Sequence, residues 1–250
     1  MKAVQICRTG GPEVLKYVDL PTPVPGDGEV LIETEAAGVQ LFDLLIRTGR
    51  YRWMPDLPFV LGNELVGRVA ARGPGVEAPE PGQRVLVTGY DIGNRGGLYA
   101  DHAVVPATAA WPLPDHVDPA AAVALTNYQL AWILMFHAAR GIEPRTVVIY
   151  GAAGGVGTAL TEVARLHGAE VIALAGTREK CDFALGRGAA HAFDYTGGPV
   201  SDRVKEATGG RGADLIFDNV AGKGFADNLR MVAPLGMVVS YGLLGGMPED

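Results

Sequence analysis

One short stretch, residues 146–164, joins an apolar run to a helical pattern through a glycine-rich turn. Residues 146–150 form a short, β-branched run, and the sequence of residues 151–157 is GAAGGVG. The following segment places apolar residues at 156, 159, 160, 163 and 164, which is helical spacing. A strand, a glycine turn and a helix in this order begin the βαβ unit of a dinucleotide-binding fold.

Four further apolar runs follow this unit, at residues 170–175, 190–194, 214–219 and 237–241. Helical segments separate most of them, and alternating strands and helices predict a parallel sheet. With residues 146–150 the runs predict five strands. A complete sheet of this class has six, so the chain is expected to stop one strand early, at Asp250.

The first half of the chain has a different pattern. Its apolar runs are short, β-branched and broken by proline and glycine, as at residues 30–34, 66–71, 84–88 and 102–105. This pattern predicts a mainly β domain. We therefore expect an α/β protein with two domains, a β-rich domain at residues 1–120 and a dinucleotide-binding domain at residues 121–250.

Charge and composition limit the partners that we expect. Lysine plus arginine number 21 and aspartate plus glutamate 28, so the formal charge of −7 gives no electrostatic reason to bind nucleic acid. Cys7 and Cys181 are too few for a disulfide framework, as in a reducing cytosol. We expect neither a signal peptide nor an uncharged apolar run long enough to span a bilayer. The sequence thus predicts a cytoplasmic protein without a membrane partner.

The glycine turn is predicted to bind a pyrophosphate. Backbone N–H groups at the positive end of a helix bind phosphate oxygens, and a β-carbon there would block the approach. The candidate residues are Ala153, Gly154, Gly155 and Val156, while Ala152 replaces the first glycine of the usual fingerprint. The alternative is an ordinary tight turn between a strand and a helix.

The end of the second predicted strand favours NADPH as the cofactor. An enzyme that selects NAD commonly has a carboxylate there, which binds the ribose 2′-hydroxyl. This chain has Gly176 and Thr177, followed by Arg178 and Lys180. A hydroxyl and two cations suit a 2′-phosphate. The alternative is that the two cations are solvated charges at the start of a helix.

These stretches resemble the cofactor half of medium-chain dehydrogenases and reductases. The similarity lies in residues 151–157, residues 176–180 with Tyr195, and residues 217–222, and the nearest branch contains quinone oxidoreductases and zeta-crystallin-like proteins. Residues 38–51 and 61–67 resemble the segments that line the cleft in this family. The resemblance implies a GroES-like β domain, a Rossmann-type doubly wound sheet and Tyr195 as a cofactor contact.

The resemblance also implies that the chain lacks catalytic zinc. Gln40 matches the first catalytic cysteine of the zinc alcohol dehydrogenases, and Asn63 matches the histidine of their Gly-His-Glu motif. Glu64 alone cannot replace that set, because catalytic zinc needs three good protein ligands. The five histidines show no close metal spacing and are expected to be surface or packed residues: His102, His116, His137, His167 and His191.

Hydride transfer to an electron-poor acceptor is the chemistry that remains without a metal. Quinones and α,β-unsaturated carbonyls, including enoyl thioesters, are such acceptors, and the protein must stabilise the oxygen that becomes negative. Tyr51 lies in the stretch that resembles the substrate-side loop of related enoyl reductases. A phenol can donate a hydrogen bond at neutral pH. The alternative is that Tyr51 forms an aromatic wall with Trp53.

Five more residues are candidates for the site. Asp43 matches an Asn-x-x-Asp pattern of the family, whereas Gln40 departs from it. Thr126 matches a threonine that contacts the nicotinamide region in the family, although it could equally be an ordinary helix N-cap. Asn219 and Gly242 end the fourth and fifth predicted strands, at the edge where such sheets bind ligands.

Two classes of function follow. The first is an NADPH-dependent reductase of small molecules, and the second is a non-enzymatic NADPH-binding protein of the zeta-crystallin type. A zinc alcohol dehydrogenase is a third, disfavoured alternative. The chain is either a fragment or a natural short form whose edge strand, at residues 237–241, is covered by a second subunit, since an exposed apolar edge promotes aggregation. A homodimer is therefore expected.

Overall fold

A computed structural model describes residues 1–89, 92–93 and 96–248 of the chain. Asp250, where we expected the sheet to stop one strand early, lies outside the described residues. The chain divides into two compact units, Met1–Thr126 and Asn127–Asp250. The sequence pattern placed this boundary at residue 120.

The first unit is built from two antiparallel sheets. The order is β2-β1-β4 in the smaller sheet and β7-β3-β5-β6-β8 in the larger. The strands are β1 (Lys2–Ile6), β2 (Lys16–Asp19), β3 (Glu29–Ala37), β4 (Phe59–Val60), β5 (Glu64–Arg72), β6 (Arg84–Thr88), β7 (His102–Pro106) and β8 (Ala110–Pro112). The mainly β fold predicted for this half is confirmed, and the four predicted runs lie in β3, β5, β6 and β7.

Alternation along these strands buries one face of the larger sheet. Val30 and Ile32 of β3 are fully buried, as are Leu65 of β5 and Val85 and Val87 of β6. Side chains of a strand alternate between its two faces, so residues two apart share the core. This half therefore has its own hydrophobic core.

Two short helices complete the first unit, with 3₁₀ turns at Pro12–Val14 and Ala107–Ala109. They are α1 (Leu41–Arg47) and α2 (Pro119–Ala122). The Asp118 carboxylate accepts a hydrogen bond from the Ala120 N–H and caps α2. Asp43 in the first turn of α1 accepts hydrogen bonds from Gly62 and Asn63, which directly precede β5.

The second unit contains one five-stranded parallel sheet of order β11-β10-β9-β12-β13. The strands are β9 (Thr146–Tyr150), β10 (Glu170–Ala175), β11 (His191–Asp194), β12 (Ala213–Asp218) and β13 (Val232–Ser240). The five predicted strands are confirmed, and their order is that of the first five strands of a Rossmann sheet. Both predicted domain types are thus present.

Helices connect these strands and cover the sheet. They are α3 (Leu125–Trp132), which begins at the boundary between the units, α4 (Gly155–Leu166), α5 (Arg178–Gly186), α6 (Ser201–Ala207) and α7 (Asn228–Met231), with a π-helix at Ile133–Ala138 and a 3₁₀ segment at Gly222–Asp227. Val147 and Ile149 of β9 pack on one face of the sheet, while Val148 and Tyr150 pack on the other. A parallel sheet covered on both faces gives such continuous apolar runs.

The last strand differs most from its predicted range. Residues 237–241 were expected, whereas β13 begins at Val232 and ends at Ser240. Pro234, Leu235 and Gly236 lie inside the observed strand, where the pairing with β12 shifts its register. Leu235 has φ of 64°. Because of this irregular backbone, the sequence pattern does not predict the first half of the strand.

A helical stretch at Pro119–Ala138 contradicts one expectation. It has 20 residues and a mean hydropathy of 1.2, so by length and composition alone it could cross a membrane. The expectation that no uncharged apolar run is long enough is therefore wrong. A single such helix is weak support for a membrane span. This stretch also carries polar contacts, since the Tyr128 hydroxyl donates to Glu162 Oε2 at 2.5 Å.

Candidate functional site

The glycine turn lies between the carboxyl end of β9 and the start of α4. Gly151 has φ of 60°, a left-handed backbone that favours glycine. The Gly154 N–H donates to the Gly151 carbonyl at 2.8 Å and closes the turn. Gly151 therefore makes the sharp turn directly before Ala152, the residue that replaces the first fingerprint glycine.

Close packing explains a second glycine of this turn. A β-carbon at Gly157 would lie 2.2 Å from the Gly151 carbonyl oxygen and 2.7 Å from the Ala152 Cα. Both are backbone atoms, so a side chain could enter only if helix α4 moved away from the turn. Glycine at 157 thus allows the helix to approach the strand closely.

The first turn of α4 presents backbone donors without a competing side chain. Gly154 is the N-cap and provides no side-chain hydrogen bond. The N–H groups of Gly155, Val156 and Gly157 have no partner within the helix, because the first turn has no preceding carbonyls. Together with the helix dipole they form a surface that binds an anion such as a phosphate.

Asn127 and Asn219 flank the same turn. A β-carbon at Gly155 would lie 2.9 Å from the Asn127 carboxamide, and one at Gly151 would lie 2.9 Å from the Asn219 carboxamide. A β-carbon at Gly242 would lie 2.7 Å from the Asn219 carbonyl oxygen. The structure therefore brings Asn219 and Gly242 together beside the turn, at the carboxyl edge of the sheet.

Two buried polar atoms at this edge indicate that a ligand binds there. Asn219 Oδ1 and the Tyr241 hydroxyl are both buried and have no hydrogen-bond partner within the described part of the chain. Buried polar groups without a partner are costly and rare. A ligand with polar groups would satisfy them, so the residues present at this edge fit a cofactor.

The end of β10 carries the other predicted cofactor residues. The Thr177 hydroxyl accepts a hydrogen bond from the Lys180 N–H at 3.3 Å and caps α5. Arg178 is exposed, and its Nε lies 3.0 Å from Asp182 Oδ1, one turn along the helix. Lys180 is exposed as well. Both cations can thus reach solvent, and their binding of a 2′-phosphate stays a prediction.

Tyr195 lies beside this strand end. A β-carbon at Gly176 would lie 3.7 Å from the Tyr195 hydroxyl oxygen. The rings of Tyr195 and Tyr150 have centroids 5.6 Å apart. Burial raises the pKa of Tyr195, with the carboxylates of Asp194 and Asp218 adding to the shift. The residue therefore stays protonated at neutral pH and can donate a hydrogen bond.

Three candidates of the first unit, Gln40, Asp43 and Thr126, meet in one polar network. Gln40 Nε2 donates to Glu64 Oε2 at 2.8 Å, and the Thr126 hydroxyl donates to Glu64 Oε1. The Gln40 N–H donates to Asp43 Oδ2 at 2.8 Å. The structure thus joins the neighbouring residues Gln40 and Asp43 to the distant Thr126, through the carboxylates of Asp43 and Glu64.

Asp43 has further donors in this network. Asn63 Nδ2 and the Gly62 N–H each donate to Asp43 Oδ1 at 3.1 Å. The Tyr99 hydroxyl lies 2.8 Å from Asp43 Oδ2 and 2.9 Å from the Gly38 carbonyl. Asp43 is buried, and both of its carboxylate oxygens have hydrogen-bond donors.

Burial is the main cause of the pKa shifts of Glu64 and Tyr99 in this network. The pKa of Glu64 is raised mainly by burial, against the hydrogen bonds from Thr126 and Gln40, and the charge of Asp43 raises it further. The pKa of Tyr99 is also raised, by burial first and then by Asp43. Tyr99 is accordingly a donor to Asp43 at any physiological pH.

Tyr51 lies in an apolar cluster of the first unit. Its side chain is buried among Ile6, Ile46 and Leu61. Its ring contacts Phe42 and Trp53 edge to face, with centroids 5.8 Å and 5.7 Å apart. This packing is what the aromatic-wall alternative expects, while a role as a proton donor stays a prediction.

The positions that match zinc ligands carry a carboxamide each, Gln40 and Asn63, and both are engaged with carboxylates. Across residues 1–89, 92–93 and 96–248, no three His, Cys, Asp or Glu side chains are grouped so that they could hold a metal ion. The network holds the carboxylates of Asp43 and Glu64, and the groups around them are amides and hydroxyls rather than the thiolates and imidazoles of a catalytic zinc site.

Sequence reasoning missed Tyr99, Asn127 and Tyr241. Tyr99 and Asp43 are 56 positions apart, and no spacing rule connects them. Asn127 is adjacent to Thr126 at the start of the predicted helix, but only Thr126 matches a family contact, so the sequence gives Asn127 no role of its own. Tyr241 precedes Gly242 at the sheet edge, so the rule that strand ends bind ligands could have included it.

Comparisons with known proteins agree with this architecture. Residues 26–115 match the family model described as "Alcohol dehydrogenase GroES-like domain", and residues 155–250 match the one described as "Zinc-binding dehydrogenase". The quinone oxidoreductase of Rattus norvegicus is 33% identical over 255 residues, covering 100% of this chain and 76% of that protein.

Solved structures give the same result. A mycobacterial quinone oxidoreductase has a TM-score of 0.87 at 35% identity, covering 100% of this chain and 76% of its own. The Escherichia coli quinone oxidoreductase complexed with NADPH has a TM-score of 0.89 at 29% identity, with the same coverage of both chains. The chain thus spans about three quarters of the length of these relatives.

Proposed function

The chain belongs to the zinc-independent quinone oxidoreductase family of medium-chain dehydrogenases and reductases, and we propose that it reduces quinones, enones or enoyl thioesters with NADPH. The observation that carries this proposal is the glycine turn at residues 151–157, whose first-turn amides have no partner within helix α4. The similarity to the Escherichia coli quinone oxidoreductase, whose structure is complexed with NADPH, supports NADPH as the cofactor.

Residues of the second unit would hold the cofactor. The turn residues Ala153, Gly154, Gly155 and Val156 would bind the pyrophosphate through backbone N–H groups. Asn219 and Gly242 of the second unit would contact the nicotinamide end. For Thr126, a contact to the nicotinamide region follows from the resemblance to the family alone. The cofactor supplies the hydride, and the protein supplies orientation and electrostatics.

The 2′-phosphate would distinguish NADPH from NADH. Thr177, Arg178 and Lys180 provide a hydroxyl and two cations at the end of β10, and Gly176 lies next to Tyr195 there. Arg178 is already paired with Asp182 in an exposed position, where such pairs contribute little. Exchanging this partner for a phosphate would therefore cost little.

The catalytic role falls to few side chains. Gln40 and Asp43 lie in the buried network of the first unit and would make polar contacts to the substrate or the nicotinamide ribose. Tyr51 would donate a hydrogen bond to the substrate oxygen as it becomes negative, or form the wall of the site. The acceptor must be electron-poor, because no metal ion would polarise it.

The proposal includes a cytoplasmic homodimer. Strand β13 lies at the edge of the parallel sheet, and Leu235, Leu243 and Leu244 in or after it are exposed. An apolar sheet edge is normally covered in a native protein. Sedimentation of the purified protein at several concentrations tests this part: a dimer supports it, and a monomer at all concentrations opposes it.

Turnover tests the proposed function. Purified protein is mixed with NADPH and a panel of quinones, enones and enoyl thioesters, and NADPH oxidation is followed at 340 nm. Acceptor-dependent oxidation supports the proposal. Binding of NADPH without oxidation by any acceptor favours the alternative, a non-enzymatic NADPH-binding protein of the zeta-crystallin type.

A further inference from the structure

One carboxylate of the first unit, that of Glu64, receives hydrogen bonds from two candidate site residues. Gln40 Nε2 lies 2.8 Å from Glu64 Oε2, and the Thr126 hydroxyl bonds to Glu64 Oε1. Gln40 precedes helix α1, Thr126 lies in α3, and Glu64 begins β5. Three separate elements therefore meet at this single side chain.

The surroundings of Glu64 leave it little freedom. The residue is 6% exposed. A β-carbon at Gly38 would lie 2.6 Å from Glu64 Oε2, so the backbone at this glycine packs directly against the carboxylate. A buried carboxylate needs its donors, and the donors named here are the neutral side chains of Gln40 and Thr126. The orientation of all three groups is thus interdependent.

We infer that Glu64 is a positioning residue, whose carboxylate sets the orientation of the Gln40 carboxamide and the Thr126 hydroxyl for the reduction. This inference rests on the proposed function, which places Gln40 beside the substrate and Thr126 beside the nicotinamide. Catalytic groups need to be held by supporting hydrogen bonds, because small displacements reduce rates strongly. Glu64 itself need not touch the substrate.

Glu64→Gln is the informative variant, because it preserves the size of the side chain. A carboxamide has one acceptor oxygen and one NH₂ group. It can accept from Gln40 or from Thr126, but its NH₂ group faces the other donor. At least one of the two hydrogen bonds is therefore lost or reversed.

The control is Glu35→Gln in the same unit. Glu35 is a carboxylate paired with Arg68 and Arg84 at 2.9 Å and 2.7 Å, and it takes no part in the network around Glu64. Its replacement removes hydrogen bonds to a carboxylate without touching Gln40 or Thr126. A general loss of stability would affect both variants.

The kinetic test measures kcat and KM with NADPH and 1,4-benzoquinone. We expect Glu64→Gln to lower kcat roughly ten- to a hundredfold, because at least one hydrogen bond to the Glu64 carboxylate is lost. The KM for NADPH should change little. Glu35→Gln should keep the wild-type kcat. An unchanged kcat in Glu64→Gln, or an equal loss in both variants, overturns the inference.

A double variant separates positioning from a purely structural role. If Glu64 acts through Thr126, then Glu64→Gln combined with Thr126→Val should lower kcat little more than the stronger single variant does. Combining Glu64→Gln with Gln40→Ala gives the same test for Gln40. Multiplicative losses in both double variants show independent effects and overturn the inference.

Crystal structures of the wild type and Glu64→Gln give a result that needs no turnover. The inference predicts that the Gln40 or Thr126 side chain changes rotamer in the variant, and identical rotamers overturn it. If the wild type reduces no acceptor, the proposed function fails while this structural comparison still decides on Glu64. If the wild type is active and Glu64→Gln is equally active, only the positioning role fails.

Discussion

The substitution Gly157→Ala tests whether helix α4 must pack closely against the glycine turn for the protein to be stable and to bind NADPH. The added β-carbon would lie 2.2 Å from the Gly151 carbonyl oxygen and 2.7 Å from the Ala152 Cα. Non-bonded heavy atoms prefer about 3.5–4.0 Å. Gly157→Ala therefore forces the helix and the turn apart by roughly 1 Å.

This displacement should affect both stability and binding. Overpacking of a well-packed site costs about 1–3 kcal/mol, which lowers the melting temperature of a chain of this size by about 2–12 °C. The amides of the first turn of α4 move with the helix. Loss of one hydrogen bond to a phosphate should weaken NADPH binding about ten- to a hundredfold.

The assays are thermal unfolding and a fluorescence titration with NADPH. Gly186→Ala is the matched control, since Gly186 ends α5 and a β-carbon there meets nothing within 4 Å. It should leave NADPH binding unchanged and increase stability by up to about 1 kcal/mol. If Gly157→Ala keeps both the wild-type melting temperature and the wild-type affinity, the proposed packing of the turn is refuted.

Three other predictions concern the second unit. Replacing Arg178 and Lys180 together by alanine should raise the Kd for NADPH about tenfold or more and leave that for NADH unchanged; equal losses would contradict the 2′-phosphate site. Ala221 has φ of 53° and ψ of −131°, so Ala221→Gly should raise the free energy of unfolding by about 1 kcal/mol in urea, and a decrease would show that the backbone is not strained. The pKa of Asp214 is lowered, mainly by its hydrogen bond to Arg211, so it adds stability above the unfolded pKa of about 3.9 and loses it as pH falls towards the lower folded value. Asp214→Asn should therefore cost about 1.5–3 kcal/mol at pH 7 and progressively less below about pH 4, and a pH-independent difference in urea unfolding would refute this.

The second domain could be predicted well because its signals are local. Residues 146–150 and 170–175 were expected as strands, and β9 and β10 have these bounds. Both are mostly buried apolar runs with a turn at their end, and a parallel sheet makes such runs continuous. The glycine turn and its helix follow from the same segment.

Strand β13 shows where local patterns fail. Its first half contains Pro234 and Gly236, which normally interrupt a strand. The register shift against β12 accommodates them, and Leu235 takes a left-handed backbone. The pairing with β12 resumes at Met237 after this irregular segment, and Val232 pairs before it with Ala213. A sequence pattern contains no information on pairing that continues across such an interruption.

The network in the first unit was beyond prediction for a related reason. Gln40, Asp43 and Thr126 were each identified separately, through the resemblance to a family. Gln40 and Asp43 are joined by a local hydrogen bond, whereas Thr126 is joined to them only through Glu64, which is 24 positions from Gln40 and 62 from Thr126. Hydrogen bonds between such distant residues arise from the packing of separate elements, so the site residues could be named but their arrangement could not.

The central claim is that the turn at residues 151–157 and the cations after β10 bind NADPH. A titration of the wild-type protein with NADPH and NADH, followed by nicotinamide fluorescence, tests it directly. We expect saturable binding of both, with NADPH bound about tenfold more tightly or better. Equal affinity would contradict the 2′-phosphate site, and no binding of either dinucleotide would contradict the account of the turn itself.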